Sequence, residues 1–371
     1  MRTISTLFLV ACVLVPFTAL AQTPIPDQVT FAKAKVIAVI SQEIKPIAGT
    51  SATSLDQELK FQLLDGPQAG QTLTVENNYV ELHVGDVAYL QHTQSSLDGT
   101  DFWAVSAPDR LPWLLFYVGL FVVLLVVIGG KQGLRGFISL VAGLLVIGYV
   151  LLPALLAGYS PVLMAVAVAS LLVIVGSYIT HGFNRTTTAA VVGMVITIVL
   201  TGVLAYMAVH TTELTGFNSE EATYLNFDTS GSINFVGLLL GGLLIGFLGV
   251  LYDAAIGQAV AVEELVRAAA HYSRRELFQR GMRIGREHIG ALVNILAIAY
   301  VGASLPLLLL LKLTSAQSLA ITVNSELFAT EIVRIIVGSV GLIVAVPITT
   351  LVAVYMLHGR ATPGAVHSHS H

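Results

Sequence analysis

Asp253, Arg286, Glu287 and Asn294 stand in or beside long apolar runs, as do Glu331 and Arg334 further along the chain. Ionisable groups in such surroundings are costly and mark ion, proton or substrate paths, or the contacts that neutralise them. A carboxylate at Asp253 or Glu287 can bind a proton or a cation, Asn294 can supply a neutral ligand, and an arginine can neutralise either acid. Helical spacing sorts these residues into faces. Glu287, Ala291 and Asn294 share one face with Gly290 beside them, and Glu331 with Arg334 at i, i+3 can pair along a helix. Gly242, Gly246, Gly249, Asp253 and Gly257 recur at helical steps and form a small-residue face of the kind that lets another backbone approach closely. That spacing directs Asp253 into a tight helix contact. Gly338, Gly341 and Ala345 form a similar face after Arg334. The expectation is an inner cluster of Asp253, Arg286, Glu287 and Asn294, a candidate transport or coupling site. Glu331 and Arg334 then form an outer ion pair across a hydrocarbon core about 30 Å thick.

The elements that must carry these residues are membrane helices. Of 371 residues, 55% are hydrophobic and 11% charged, and the mean hydropathy is +0.82. That composition places the chain in lipid. Apolar segments of spanning length run from Leu111 to Ile128, Leu134 to Leu152, Pro161 to Ile179, Thr187 to Val209, Ile233 to Ile256, Ile289 to Leu311 and Ile332 to Leu357. Seven spans are therefore expected across residues 111–357. With the N-terminal domain outside, Lys131, Arg135, Arg185, Arg360 and the arginines from Arg267 to Arg286 fall in inner loops, whereas Lys312 is outer. This asymmetry follows the positive-inside rule and puts the C-terminus in the cytoplasm. Spans one to three and five to seven have the same sense, so a parallel repeat is possible; Arg135 with Arg286 and Tyr149 with Tyr300 are its informative matches.

The connector Gly257 to Arg286 mixes apolar residues with acids and arginines, and reads as an amphipathic helix at the inner headgroups. There Arg267, Arg274, Arg275, Arg280 and Arg283 would meet the anionic inner leaflet. Glu263 and Glu264 are alternative gating residues. The outer loop His210 to Ser232 holds Glu213, Glu220, Glu221 and Asp228 without a basic residue; it reads as a solvated loop, or as a mouth that attracts cations. Pro153, Pro161, Pro306 and Pro347 mark helix ends or kinks.

Residues 1–21 read as a signal peptide, with Arg2, an apolar run and Ala19-Leu20-Ala21 before the cut, or as an uncleaved anchor; either implies an extracytoplasmic domain at residues 22–110. Cys12 is the only cysteine, so a chain starting at Gln22 has neither a disulfide nor a thiolate metal site. Val29 to Ile40, Glu58 to Leu64, Gln71 to Glu76, Tyr79 to His83, Val87 to His92 and Asp101 to Ser106 read as strands. Between them lie turns at Asp65-Gly66-Pro67, Gly85-Asp86 and Asp98-Gly99. A small OB-like β-barrel is expected, as a spacer or a docking module for an envelope protein. It lacks the basic stripe with interleaved aromatics that would bind nucleic acid. His83 and His92 read as surface residues, and residues 358–371, with histidines at 358, 367, 369 and 371, as a flexible tail; no metal or cofactor is expected. The fold class is thus a mainly α-helical membrane protein with a small N-terminal β domain.

Motifs for soluble chemistries are missing. There is no GxxxxGK[ST], HExxH or GxSxG, and Gly281-Met-Arg-Ile-Gly285 is not a dinucleotide fingerprint. Paired acids at Asp253 and Glu287 leave an intramembrane hydrolase as the one enzymatic reading.

The chain resembles the YibE/F-like family of bacterial multi-pass membrane proteins. The resemblance runs from Lys35 to Ile40, Leu64-Asp65-Gly66 and Val84-Gly85-Asp86 to the last span. It is strongest in Gly246-Phe-Leu-Gly-Val-Leu-Tyr-Asp253, Glu263-Glu264-Leu265, Gly281 to Arg286 with Gly290, Asn294 to Gly302, and Pro347-Ile-Thr. Ile295 departs from the threonine expected after Asn294. The resemblance implies a signal, an outer β domain and a helical membrane domain, and supplies no reaction. Two functions fit. One is a secondary transporter or permease moving a small solute or ion through a site at the inner ends of spans five and six. The other is a non-transporting scaffold whose β domain binds an envelope partner.

Overall fold

The computed structural model describes residues 28–47, 49, 52–96, 99–269, 271–313 and 318–359. The expected signal segment, Asp98 of one turn, Arg360 and the histidines at 367, 369 and 371 lie outside the described residues. The chain divides into two units, with the boundary between Phe121 and Val122.

The N-terminal unit contains β1 (Gln28–Pro46), β2 (Thr53–Leu63), β3 (Thr72–Asn77), β4 (Val87–Gln94) and β5 (Asp101–Pro108). They form one antiparallel sheet in the order β3-β2-β1-β4-β5, and the edge strands β3 and β5 come into contact. Period-two alternation makes one face apolar: Ala32, Ala34 and Val36 of β1 pack with Leu59, Phe61 and Leu63 of β2 and with Ala88 and Leu90 of β4. Tyr79 to His83, expected as a strand, is not one. The amide of Gln57, 1% exposed, takes the place of a neighbouring strand: it donates to the Leu82 carbonyl and accepts from the Leu82 N–H, both at 3.0 Å. Asn77 donates to Gln57 and to the Val80 carbonyl. With its backbone groups satisfied by side chains, this segment plugs Leu82 into the core without a ladder. Gly85 closes the next turn at φ 102°, where only glycine is unstrained.

The second unit is helical. The first helix, α1 (Leu111–Val146), starts before the unit boundary and passes through a π-helical turn (Ile147–Leu151) into α2 (Leu152–Leu156). Then follow α3 (Pro161–His181), α4 (Arg185–Thr211), α5 (Glu220–Asp228), α6 (Phe235–Gly246), α7 (Leu248–Ala268), α8 (Arg274–Ala303), α9 (Leu305–Leu313), α10 (Leu319–Asn324) and α11 (Glu326–Leu357). Among the described residues six helical stretches are long and apolar enough to cross a membrane: Leu111–Leu156, Pro161–His181, Arg185–Thr211, Phe235–Ala268, Arg274–Ala303 and Glu326–Leu357. Both of the first two expected spans fall in the first stretch. It is not straight. Gly130 sits at φ 54°, ψ −137°, and a Cβ on Gly133 would stand 2.0 Å from the Leu125 carbonyl oxygen. In an unbroken helix residues that far apart in sequence are separated by about 12 Å, so the chain turns sharply at Gly130.

Two further boundaries differ from the sequence expectation. The connector Gly257 to Arg286 is not one interfacial helix: its first part extends α7 to Ala268, and its second part begins α8 at Arg274. A capping box sets that start, with the Glu276 carboxylate accepting from the Ser273 N–H and the Ser273 hydroxyl accepting from the Glu276 N–H. The sixth expected span, Ile289 to Leu311, instead breaks at Ser304, and α9 begins beside Pro306. Proline at that position has no N–H for the ladder and clashes with the preceding turn. Pro347, by contrast, lies inside an uninterrupted α11.

The helical core is built around α4, α7 and α11. Small residues bring these backbones close: a Cβ on Gly193 would meet Thr349 Oγ1 at 2.6 Å, and one on Gly341 would meet Thr201 Oγ1 at 2.7 Å. Ala189, Ala190, Met194, Ala255, Ala259 and Ala345 are fully buried between them.

Candidate functional site

The helix pair α6–α7 is interrupted at Phe247, whose N–H turns to the Ile245 carbonyl. Phe247 is fully buried and lies against Gly338 and Gly341 of α11, so the expected small-residue face of α11 is a packing face. Beside this break lie Tyr300 of α8 and Glu331 and Arg334 of α11. Arg334 donates to Glu331 Oε1 at 2.8 Å, and its guanidinium stands 5.8 Å from the Tyr300 ring centre. The Tyr300 hydroxyl occupies room that only glycine leaves at 246, since a Cβ there would be 2.5 Å away. The side chains of Glu331 and Arg334 are 20% and 27% exposed. Three buried polar atoms on these helices, Glu331 Oε2, Tyr300 Oη and Thr330 Oγ1, have no hydrogen-bond partner among the described residues. Unsatisfied buried groups of this kind are rare, and a carboxylate with a free oxygen beside an arginine can take up a proton, water or a polar solute.

The outer pair also lies deeper than the sequence suggests. Because α11 starts at Glu326 and not at Ile332, Glu331 is more than a turn inside the helix. Through Tyr300 the pair reaches Gly246, which is about 10 Å along the helix from Asp253. Glu326 itself holds the connection between α4 and α5: its carboxylate accepts from the Thr215 and Gly216 N–H groups at 2.8 and 2.6 Å and from the Thr215 hydroxyl.

The inner residues are arranged otherwise. Asp253, Arg286, Glu287 and Asn294 are all exposed, and among the described residues no hydrogen bond or ion pair joins any two of them. The glycine face is open, contrary to the tight contact expected from its spacing. A Cβ on Gly242, Gly249 or Gly257 would meet nothing within 4 Å, and only Gly246 is occupied. The contact between α7 and α8 runs through the opposite face. Gln258, 4% exposed, donates to the Gly281 carbonyl at 2.8 Å and to Thr350 Oγ1 at 2.7 Å. Gly281 and Gly285 make that approach possible, with a Cβ on Gly285 falling 2.4 Å from Val346 Cγ1. Sequence reasoning missed Gln258, although a lone amide on the apolar side of a span is a usable signal.

The arginines are divided too. Arg267 pairs with Glu263 at 2.6 Å and Glu264 at 3.7 Å, while Arg274 and Arg280 stack on Tyr355 and Tyr272. Arg275 and Arg283 are exposed. A second locus lies nearby, where Ser177 Oγ and Tyr252 Oη are buried with no hydrogen-bond partner among the described residues and the Tyr252 ring is 5.9 Å from that of His181. No group of three metal-ligating side chains occurs among the described residues.

Comparison with protein families matches residues 117–359 to the YibE/F-like protein family. The chain belongs to this family. The match takes in the broken helix, Gln258 and the ion pair, and starts after the β strands, whereas the sequence resemblance reached back to Lys35. Neither the curated proteins nor the solved structures yield a match.

Proposed function

We propose that this YibE/F-like protein is a secondary transporter or permease of a bacterial inner or plasma membrane, moving a small solute or ion. The observation that carries the reading is the Glu331–Arg334 pair beside the interrupted helix α6–α7, with Glu331 Oε2 and Tyr300 Oη unsatisfied. Broken spans beside buried polar groups at membrane depth are how transporter sites are built. The inner ends of spans five and six, with Asp253, Arg286, Glu287 and Asn294, were the expected seat. Their openness and lack of mutual bonds favour the ion pair as the site.

Seven crossings fit this reading. A straight helix over Leu111–Leu156 would be about 69 Å long, twice the hydrocarbon thickness, and the turn at Gly130 makes it two crossings. Residues 22–110 are then extracytoplasmic after a signal peptide, the C-terminus is cytoplasmic, and Arg275 meets anionic lipid. The contact between β3 and β5 supports an OB-like, partly open barrel.

The test is flux in proteoliposomes under an imposed pH gradient, with internal pH read by pyranine and sodium, potassium, phosphate or amino acids outside. Wild-type protein should move protons or solute faster than empty vesicles, and Glu331→Gln should lose that flux while eluting as folded protein. Wild-type flux equal to that of empty vesicles across the panel, or flux unchanged in Glu331→Gln, refutes the reading.

A scaffold reading has one observation in its favour. Val29 and Phe102 share a register row across β4, and Phe31 lies on the same face; these side chains are 46%, 63% and 61% exposed. Such an apolar patch suits an envelope partner. Phe31→Glu would abolish partner capture without altering flux.

A further inference from the structure

The open face of α7 and α8 carries charges that the chain itself does not neutralise. Asp253, Arg283, Arg286 and Glu287 are exposed there, and none of them makes an ion pair among the described residues. Two contacts fix the level of these residues: Gln258 with Gly281 and Gly285, and Gly246 with Tyr300. Between these anchors the antiparallel helices run side by side, so Asp253 lies level with Gly290 and Ala291, and Asn294 is less than a turn away.

This level is inside the bundle. Tyr252 touches Gly176, which is more than a turn from the end of α3 at His181, and Gly285 touches Val346, one turn from the Thr349–Gly193 contact inside α4. Hydrocarbon cannot satisfy a carboxylate and an arginine at that depth, so a protein surface has to cover them.

We propose that this face is covered by a second copy of the same chain, in a two-fold pair. The charge pattern selects that occupant. Two acids and two arginines sum to zero, so the face is complementary to itself: about a two-fold axis Asp253 of one copy meets Arg286 of the other, and the reverse. Arg286 stands about 7 Å along the axis from the level of Asp253, within reach of its side chain. The open positions Gly242, Gly249, Gly257 and Gly290, where an added Cβ meets nothing within 4 Å, permit close backbone approach. Asn294 is placed to bond with its own counterpart across the axis. The chain's own α1 is a poor cover, because Leu111 to Leu156 contains Lys131 and Arg135 but no acid and would leave positive charge in excess.

Single cysteines at Gly249 and Asn294, in a Cys12→Ser background and in native membranes, test the pair. On mild oxidation Gly249→Cys and Asn294→Cys should give disulfide-linked dimers of twice the mass of the reduced chain. Val203→Cys on the exposed side of α4 should not. Asp253→Arg in the Gly249→Cys chain should lower the linked fraction about tenfold, and adding Arg286→Asp should restore it. The proposal fails if the Gly249 and Asn294 variants link no more than Val203→Cys. It also fails if they link to a species of another mass, if Gly249→Cys links within the chain to Leu120→Cys, or if the double charge swap does not rescue. Flux plays no part in these readouts, so they stand apart from the transport test.

Discussion

Replacing Gly285 by alanine probes the junction of α7, α8 and α11 most directly. The added methyl would sit 2.4 Å from Val346 Cγ1 and 2.8 Å from Gln258 Oε1, against ordinary contact distances of about 3.5–4.0 Å. Neither neighbour can turn aside cheaply. Val346 is β-branched, locked at χ1 within α11 and 2% exposed. Gln258 is pinned by its bonds to Gly281 and Thr350. Helix α8 must therefore move outward by about 1 Å or more. Overpacking of this kind costs about 1–3 kcal/mol, and losing the Gln258–Gly281 hydrogen bond adds about 0.6 kcal/mol. The sum, about 1.6–3.6 kcal/mol, raises the unfolded fraction by roughly 15- to 400-fold. Unfolding of the detergent-solubilised protein by SDS, followed by far-UV circular dichroism, reads the shift in midpoint. Gly136→Ala is the control: it meets nothing within 4 Å, and removing a helical glycine stabilises by about 0.5–1 kcal/mol. A Gly285→Ala midpoint equal to that of wild type would refute the described packing.

Two further outcomes concern the β domain. Gln57→Leu strands the Leu82 N–H and C=O in the core, at about 1–3 kcal/mol for each unsatisfied group; faster amide exchange at Leu82 in the full chain checks it, and unchanged exchange counts against the side-chain clamp. Lys33 and Asp109 form an ion pair whose hydrogen bond holds the Asp109 carboxyl below its ordinary 3.8 and the Lys33 ammonium above its ordinary 10.5. The Asp109 contribution is present above 3.8 and lost as pH falls through the lowered value, and the Lys33 contribution is present below 10.5 and lost as pH rises through the raised one. The thermal midpoint of wild type should therefore fall more steeply on acidification than that of Asp109→Asn, and parallel curves would show the pair to be inert.

Much of the architecture is legible in the amino-acid sequence, because its causes are local. Apolar runs of spanning length, the glycine and proline punctuation, the alternating β segments and the pairing of Glu331 with Arg334 one turn apart all follow from short-range periodicity and composition. Where expectation and fold part company, contacts between distant residues decide. Tyr79 to His83 has strand-like composition, yet Gln57 and Asn77 satisfy its backbone and remove the need for a ladder. The stripe through Asp253 has helix-packing spacing, yet spacing cannot say which face a neighbour will take, and Gln258 on the other side wins because it binds two helices at once. Tyr300, Gly246 and Arg334 are far apart in sequence, and only the crossing of α8 and α11 beside the break at Phe247 brings them together. The sequence by itself determined that the chain is a multi-pass, membrane-type helical protein, since transfer free energy depends on local composition. Tertiary structure alone decided which polar groups are enclosed together and which are left facing outward, since that depends on helix–helix contacts no local pattern encodes.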